Sequence, residues 1–183
     1  IGEFDNETEL IIHLGMTGQL LIDKNEKFSK NLDQYCRAWW SLANGKTVVF
    51  RDVRRFGRIA VVGKGDYSQI PTLRDMGPEP FSDGLTGNDV WLRTKGRKSR
   101  IKTQLLSQRL IAGVGNIYAD EALFLARINP ALRSISRGQG ERLLEAVRTV
   151  FSEAIERGGT TLRDYRNLEG EGRNQHHLKC YGR

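Results

Sequence analysis

The sequence predicts an α+β fold in which an antiparallel β-sandwich, incomplete within these residues, is followed by a helical half. Three observations carry that expectation. The first third alternates short aliphatic or β-branched runs with glycine turns. A cluster at Gly77-Pro78-Glu79-Pro80 ends this pattern, and beyond it apolar residues fall at helical spacing, most clearly over 140–157. At 183 residues, with 38% hydrophobic and 28% charged side chains, the chain buries a real core and lies between one domain and two. The division expected is a partial β-sandwich domain over 1–80 and a helical domain over 81–183, hinged near 77–87.

In chain order, 9–14 (ELIIHL) and 19–22 (QLLI) read as strands separated by Gly15 and Gly18. Residues 37–43 (RAWWSLA) and 46–51 (KTVVFR) flank Asn44-Gly45, the dipeptide that most readily takes the positive φ angles of a two-residue hairpin turn. Residues 57–62 (GRIAVV) add a further strand. Past the Pro/Gly cluster, Val90, Trp91, Ile101, Leu105 and Leu106 keep helical spacing. Over 104–125 an apolar helix is interrupted by Ala112-Gly113-Val114-Gly115-Asn116 and resumes as a second one. Residues 140–157 form an amphipathic helix with an apolar stripe of Leu143, Leu144, Val147, Val150, Phe151 and Ile155. Gly158-Gly159 stops it, and Thr160 offers a cap to a short following helix.

Twenty-nine Lys and Arg against 22 Asp and Glu give a net charge of +7, and a pI near 9.6 favours a polyanionic partner. The excess is local: residues 1–50 hold five basic and seven acidic side chains, residues 51–100 eleven and six. From Arg93 to Lys102 six basic residues occur without an acid, either a ligand-facing segment or a solvated linker. Mean hydropathy is −0.50, with no apolar run of membrane-spanning length and no secretory signal. Cys36 and Cys180 are too few and too far apart for a disulfide scaffold or a four-cysteine zinc site, which suits a reducing, cytoplasmic setting. The chain begins at Ile1 inside a strand-rich region, and a fragment of a longer protein is expected.

The glycine turn has the clearest chemistry. Gly113 and Gly115 allow conformations and close approaches that a Cβ would obstruct, and the helix that follows opens with unpaired N–H groups at the positive end of its dipole. Such a start suits a phosphate. Asn116 stands where its side chain caps that helix or donates to a phosphate oxygen.

The run QRLIAGVGNIYADEALFLARINP closely resembles the helix–two-turn–helix signature of the formamidopyrimidine-DNA glycosylase and endonuclease VIII family. Further pieces occur in that family's order: HLGMTGQL at 13–20, DVRRFGR at 52–58, MGPEP at 76–80, RKSRIKTQLL at 97–106, GGTTLRDY at 158–165 and YGR at 181–183. HLGM with RRFG points to the formamidopyrimidine branch. The resemblance implies an enzyme of base-excision repair. It would flip oxidised purines such as 8-oxoguanine and ring-opened formamidopyrimidines out of duplex DNA, cleave the glycosidic bond, and cut the strand at the abasic site through a Schiff base.

By the same resemblance Met16, Arg54 and Phe56 fill the void and wedge the stack, Arg54 pairing with the orphaned cytosine. The residue types suit those roles: a flexible apolar filler, a multi-donor guanidinium and an aromatic face. Read from the residues alone, Met16 is rather a core residue in a β turn and Arg54 a surface ion pair with Asp52. Phosphate contacts are implied for Lys102, Asn116 and the backbone at Gly113 and Gly115, with Lys98 or Arg97, and Arg55, adding others. His13 is placed close to the DNA backbone or is a satisfied strand histidine. Arg37 stands where relatives often carry a DNA-contacting histidine. Residues 160–175 correspond to a loop capping the extruded base.

The resemblance also fails in places. The family's N-terminal proline nucleophile, its adjacent glutamate and a catalytic lysine are not matched, because Ile1-Gly2-Glu3 corresponds to the interior of the family's sheet. No catalytic residue is therefore expected within 1–183, apart from Glu121, which either helps orient active-site groups or is an acid favoured by the helix dipole. The segment alone is expected to be inactive. YGR leads, in the family, into a four-cysteine zinc hairpin, so zinc is expected for the full-length parent and none for these residues; His176-His177 is not a convincing metal site. The implied partner is damaged double-stranded DNA, bound by a monomer in the bacterial cytoplasm at the nucleoid, with no membrane. The alternatives are a non-catalytic damaged-DNA-binding protein of the same fold and an RNA-binding structural protein.

Overall fold

The computed structural model describes residues 1–23, 34–160 and 173–182. Among these, two compact units form: one of Ile1–Tyr67 with Gly158–Gln175, the other of Ser68–Arg157 with His176–Arg183. The division at Tyr67–Ser68 lies ahead of the Pro/Gly segment that the sequence suggested as the hinge.

The first unit holds two three-stranded antiparallel sheets. One has the order β1-β2-β6, from Gly2–Glu3, Thr8–His13 and Arg58–Gly63; the other has the order β3-β5-β4, from Gly18–Asp23, Thr47–Asp52 and Cys36–Ser41. Ile11 faces Ala60 in the first, while Leu20 and Ala38 face Phe50 from either side in the second. Ile11, Val49 and Phe50 are buried, whereas Trp39 and Val61 are exposed. The chain passes from the first sheet to the second through the loop 14–17 and returns through 53–57. Both crossings carry the residues of interest below.

The hairpin between β4 and β5 forms, but not with the expected two-residue turn. Ser41 pairs with Thr47, the Leu42 N–H donates to the Lys46 carbonyl at 2.8 Å, and the Gly45 N–H donates to the Leu42 carbonyl at 3.0 Å. Only Gly45 takes a positive φ, +76°, so one left-handed residue closes a longer loop. Asn44 accepts from the Lys46 N–H through its side chain instead.

The second unit is helical: α1 (Pro71–Arg74), α2 (Gly87–Thr94), α3 (Ile101–Leu106), α4 (Asn116–Leu125) and α5 (Arg137–Glu156). Its core gathers Val90, Ile101, Leu105, Leu110, Ile111, Leu143 and Val147, all 1% exposed or less. Two helices start on reciprocal caps, Thr86 with Asp89 and Ser136 with Gln139. The Ser136 cap begins α5 three residues before the start expected at 140. α2 and α5 approach through Gly87 and Gly140, where a Cβ on either would overlap the other helix: on Gly87 the Glu141 Cα, on Gly140 the Gly87 carbonyl oxygen.

Two corrections to the sequence reading concern these helices. Ile155 is 69% exposed, and Ala154 is buried in its place. At about 100° per residue, position 154 returns to within about 20° of Leu143 whereas 155 lies about 120° away. The helix before the glycine turn ends at Leu106 rather than running on to 111. Gln108 is left-handed, φ +57°, and the chain beyond it is held by the Gly77 N–H to the Gln108 carbonyl (2.8 Å) and the Ala112 N–H to the Pro78 carbonyl (2.9 Å). Gly77 is needed there, since a Cβ would lie 2.6 Å from the Arg109 carbonyl oxygen. A short helix after Thr160, most of the expected capping loop, and Arg183 of the YGR motif lie outside the described residues.

Candidate nucleic-acid interface

In the first unit, the loops 14–17 and 53–57 are fastened to one another by a buried carboxylate. Asp52, at the end of β5, is 1% exposed. One of its oxygens accepts from the Thr17 hydroxyl at 2.6 Å and from the Arg54 N–H at 3.2 Å, the other from the Gly57 N–H at 2.8 Å. The Arg54 N–H also reaches the Thr17 oxygen at 3.1 Å. Burial pushes the Asp52 carboxyl upward, but the Thr17 hydroxyl and the N–H groups of Gly57, Arg54 and Arg55 outweigh it and hold the group below its ordinary range.

The backbones of the two loops also pack directly. Gly15, φ +63°, would place a Cβ 2.9 Å from the Phe56 carbonyl carbon, and a Cβ on Gly57 would meet the Phe50 ring. With their main chains so fixed, the loops turn side chains outward: Met16 is 67% and Phe56 56% exposed, and Arg54 is exposed between them in sequence. Met16 is thus no core residue, and Asp52 is occupied by main-chain and hydroxyl donors rather than by an Arg54 ion pair. Arg55 is exposed and left-handed, φ +59°. His13 is exposed at the end of β2, with no hydrogen bond to its imidazole among the described residues. Arg37 is half-buried and turned inward, donating to the carbonyls of Asp52 (2.8 Å) and Gln34 (3.2 Å).

In the second unit the two-turn segment presents the start of α4. Gly113 is left-handed, φ +76°, and a Cβ there would press on the Phe151 ring at 3.1 Å. At Gly115 the backbone is extended and a Cβ would meet nothing within 4 Å, so the protein's own packing does not require that glycine. It leaves open space beside the helix start. Gly115 is the N-cap and makes no side-chain bond, which corrects the expectation that Asn116 caps the helix. Asn116 instead directs its amide Nδ2 to the Tyr181 hydroxyl at 3.3 Å.

Glu121 is turned into the protein rather than toward solvent. It is 4% exposed and accepts from the N–H groups of Lys179 (2.7 Å), Cys180 (2.8 Å) and Tyr181 (2.8 Å), folding the segment 179–181 over α4. Burial raises this carboxyl, and the three N–H donors more than reverse it. Cys180 beside it is pushed up to about 11, first by burial and then by its hydrogen bond to Glu121, which makes it a packing residue rather than a reactive thiol.

The basic run divides. The Lys95 ammonium lies 3.9 Å from the Trp91 ring centroid, and Arg97 Nε donates to the Arg93 carbonyl at 2.6 Å. Lys102, on α3, is ion-paired to Asp120 of α4 at 2.8 Å. Lys98 is exposed, with no ion-pair partner among the described residues. No group of three or more His, Cys, Asp or Glu stands together as a metal site among the described residues. No helix among them is long and apolar enough to cross a membrane.

Sequence reasoning missed Asp52, Thr17, Asp120 and Tyr181 as organisers. For Asp52 a signal existed: an acid ending a strand before a glycine-containing loop favours side-chain-to-backbone turns. For Glu121 and Asp120 none did, because their partners lie 58 to 60 and 18 residues away.

Residues 1–59 match the formamidopyrimidine-DNA glycosylase N-terminal domain and residues 76–166 the formamidopyrimidine-DNA glycosylase H2TH domain. The chain is 42% identical to a formamidopyrimidine-DNA glycosylase of Herpetosiphon aurantiacus over 99% of its own length and 66% of that protein's. It superposes on the crystal structure of the MutM (Fpg) protein from Thermus thermophilus with a TM-score of 0.86 at 42% identity, covering 98% of this chain and 66% of that one. A Lactococcus lactis Fpg variant in complex with Fapy-dG containing DNA gives a TM-score of 0.83 at 28% identity, covering 97% and 65%. The chain spans about two thirds of the length of the relatives it matches.

Proposed function

The chain belongs to the formamidopyrimidine-DNA glycosylase family, and from that premise we propose that it is the DNA-gripping part of a base-excision enzyme acting on oxidised purines, 8-oxoguanine and formamidopyrimidines, in duplex DNA. The observation that carries this reading is the pair of loops clamped by Asp52 and Thr17, which hold two large apolar side chains, Met16 and Phe56, in solvent on either side of Arg54 in the chain. Exposed apolar groups on rigid loops are costly to keep wet and suit insertion into a base stack.

In this mechanism the damaged base leaves the helix. Met16 fills the vacated space, the Arg54 guanidinium presents its donors to the orphaned base edge, and Phe56 replaces the lost stacking partner. His13, Arg55 and Lys98, all exposed, contact the backbone. Asn116 and the start of α4 take a phosphate, with the open space at Gly115 allowing close approach. Arg37 acts indirectly by holding the Asp52 carbonyl. Glycosidic cleavage and the abasic-site lyase step use an amine nucleophile and an acid, and no residue of this chain is assigned to either role. The resemblance assigns zinc to the full-length parent, and no step here runs through it. The protein works as a monomer in the cytoplasm.

The test is binding of the 183-residue chain to a duplex carrying a tetrahydrofuran abasic-site analogue, against the same duplex intact. Preference for the analogue, reduced in Phe56→Ala, supports the reading. Equal affinity for the two duplexes overturns it. On an 8-oxoguanine duplex with borohydride, this chain forms no covalent adduct; an adduct would place the nucleophile within these residues.

A further inference from the structure

Lys102 is the cation expected to meet a phosphate, yet it is already engaged. Its ammonium bonds both oxygens of Asp120, at 2.8 and 2.9 Å, and both side chains keep partial access to solvent, at 32% and 26%. Asp120 stands one helical turn after Asn116 on α4 and so shares its face of the helix. An acid is therefore built into the face on which the DNA backbone would lie. Its charge opposes a phosphate arriving at the helix start, and its geometry around Lys102 imitates the one that a phosphate would adopt.

We propose that Asp120 is an intramolecular competitor for the DNA phosphate at Lys102, occupying the ammonium in the free protein and releasing it on binding. This rests on the DNA-binding reading above. The exchange is between two oxyanions for one cation. Each binding event then includes the loss of a partly solvated ion pair, an interaction of modest size by itself, and affinity is set lower than the side chains at the helix start would otherwise give. Such a device suits a protein that must leave undamaged DNA readily.

The experiment is a double-mutant cycle of Asp120→Asn and Lys102→Gln in the full 183-residue chain. Affinity for the tetrahydrofuran duplex is measured between about 50 and 200 mM salt. Asp120→Asn tightens binding by about twofold to fivefold, the factor equivalent to a partly exposed ion pair. Lys102→Gln weakens binding and lowers the salt slope by about 0.9, one phosphate contact. In the Lys102→Gln background Asp120→Asn has no effect. If Asp120→Asn weakens binding or leaves it unchanged, the pair is a structural tie between α3 and α4 and the proposal is wrong. Equal tightening with and without Lys102 also overturns it, because the effect is then general charge removal. Asp120→Ser repeats the measurement should the Asn variant fail to fold. Failure of the unaltered chain to bind either duplex overturns the DNA reading and this inference with it.

Discussion

The Thr17 hydroxyl donates to the buried Asp52 carboxylate at 2.6 Å, a bond between residues 35 positions apart that joins the two crossings between sheets. Thr17 and Asp52 make the outward geometry of Met16 and Phe56 a property of the fold rather than of loop chance. Substituting either residue acts on a site that it does not itself touch.

Thr17→Val keeps the side chain's shape and removes the donor, leaving a buried carboxylate oxygen short of one partner. It costs about 1–2 kcal/mol of stability, and Asp52→Asn about 2–3 kcal/mol because the new amide hydrogens face N–H donors. Urea unfolding with fluorescence detection reads both. A midpoint unchanged from the unaltered protein in Asp52→Asn would refute the clamp.

Two buried carboxylates contribute to the protein's sensitivity to acid. Asp52 and Glu121 both titrate below their ordinary values of 3.8 and 4.5 in the folded state. Their contribution is therefore complete above those values and is lost as pH falls through the lower folded ones. Stability measured from pH 7 to pH 3 declines at the acid end, and Asp52→Asn and Glu121→Gln each flatten that limb while lowering stability at pH 7. An acid limb of the same slope in both variants would show that other groups carry it.

Phe56→Ala removes an exposed ring, so stability stays within about 0.5 kcal/mol of the unaltered chain. Its preference for abasic-analogue over intact duplex falls by about tenfold, as expected for one stacking contact of about 1–3 kcal/mol. Met16→Ala acts in the same direction. Competition binding with the two duplexes measures this, and a retained preference would remove Phe56 from the wedge.

Gly140→Ala separates α2 from α5. The added methyl group would overlap the Gly87 carbonyl oxygen and press on Trp91, and the main chain there has no slack. A loss of about 1–3 kcal/mol is expected, against a gain from helix propensity alone. Chemical denaturation decides: a more stable Gly140→Ala protein would mean that the helices are not in contact at this point.

The strands, the change to helices and the apolar stripe of α5 were legible because each depends on local spacing. Short aliphatic or β-branched runs between turn residues mark the strands at 8–13 and 47–52, and recurrence at three and four residues in 143–147 reports the buried face of α5 whatever lies opposite. The same reasoning failed at Ile155, where the drift of 3.6 residues per turn had carried the stripe to Ala154. It failed again at Asn44-Gly45, where the paired strands left room for a longer loop. Among candidate site residues, the outward placement of Phe56 and the inward turn of Arg37 were not legible, because each depends on groups distant in sequence, as the Asp52 carbonyl 15 residues from Arg37 shows.

The sequence by itself determined the order of strands and helices, the basic excess and the motifs of the family, all properties of residue type and short-range spacing. Only the tertiary structure decided which charges are spoken for. Asp52 serves Thr17 and three main-chain N–H groups, Glu121 serves the N–H groups of 179–181, and Asp120 holds Lys102. A carboxylate takes its partner from whatever donor the folded chain brings within about 3 Å, and that distance carries no trace in the spacing of residues along the chain.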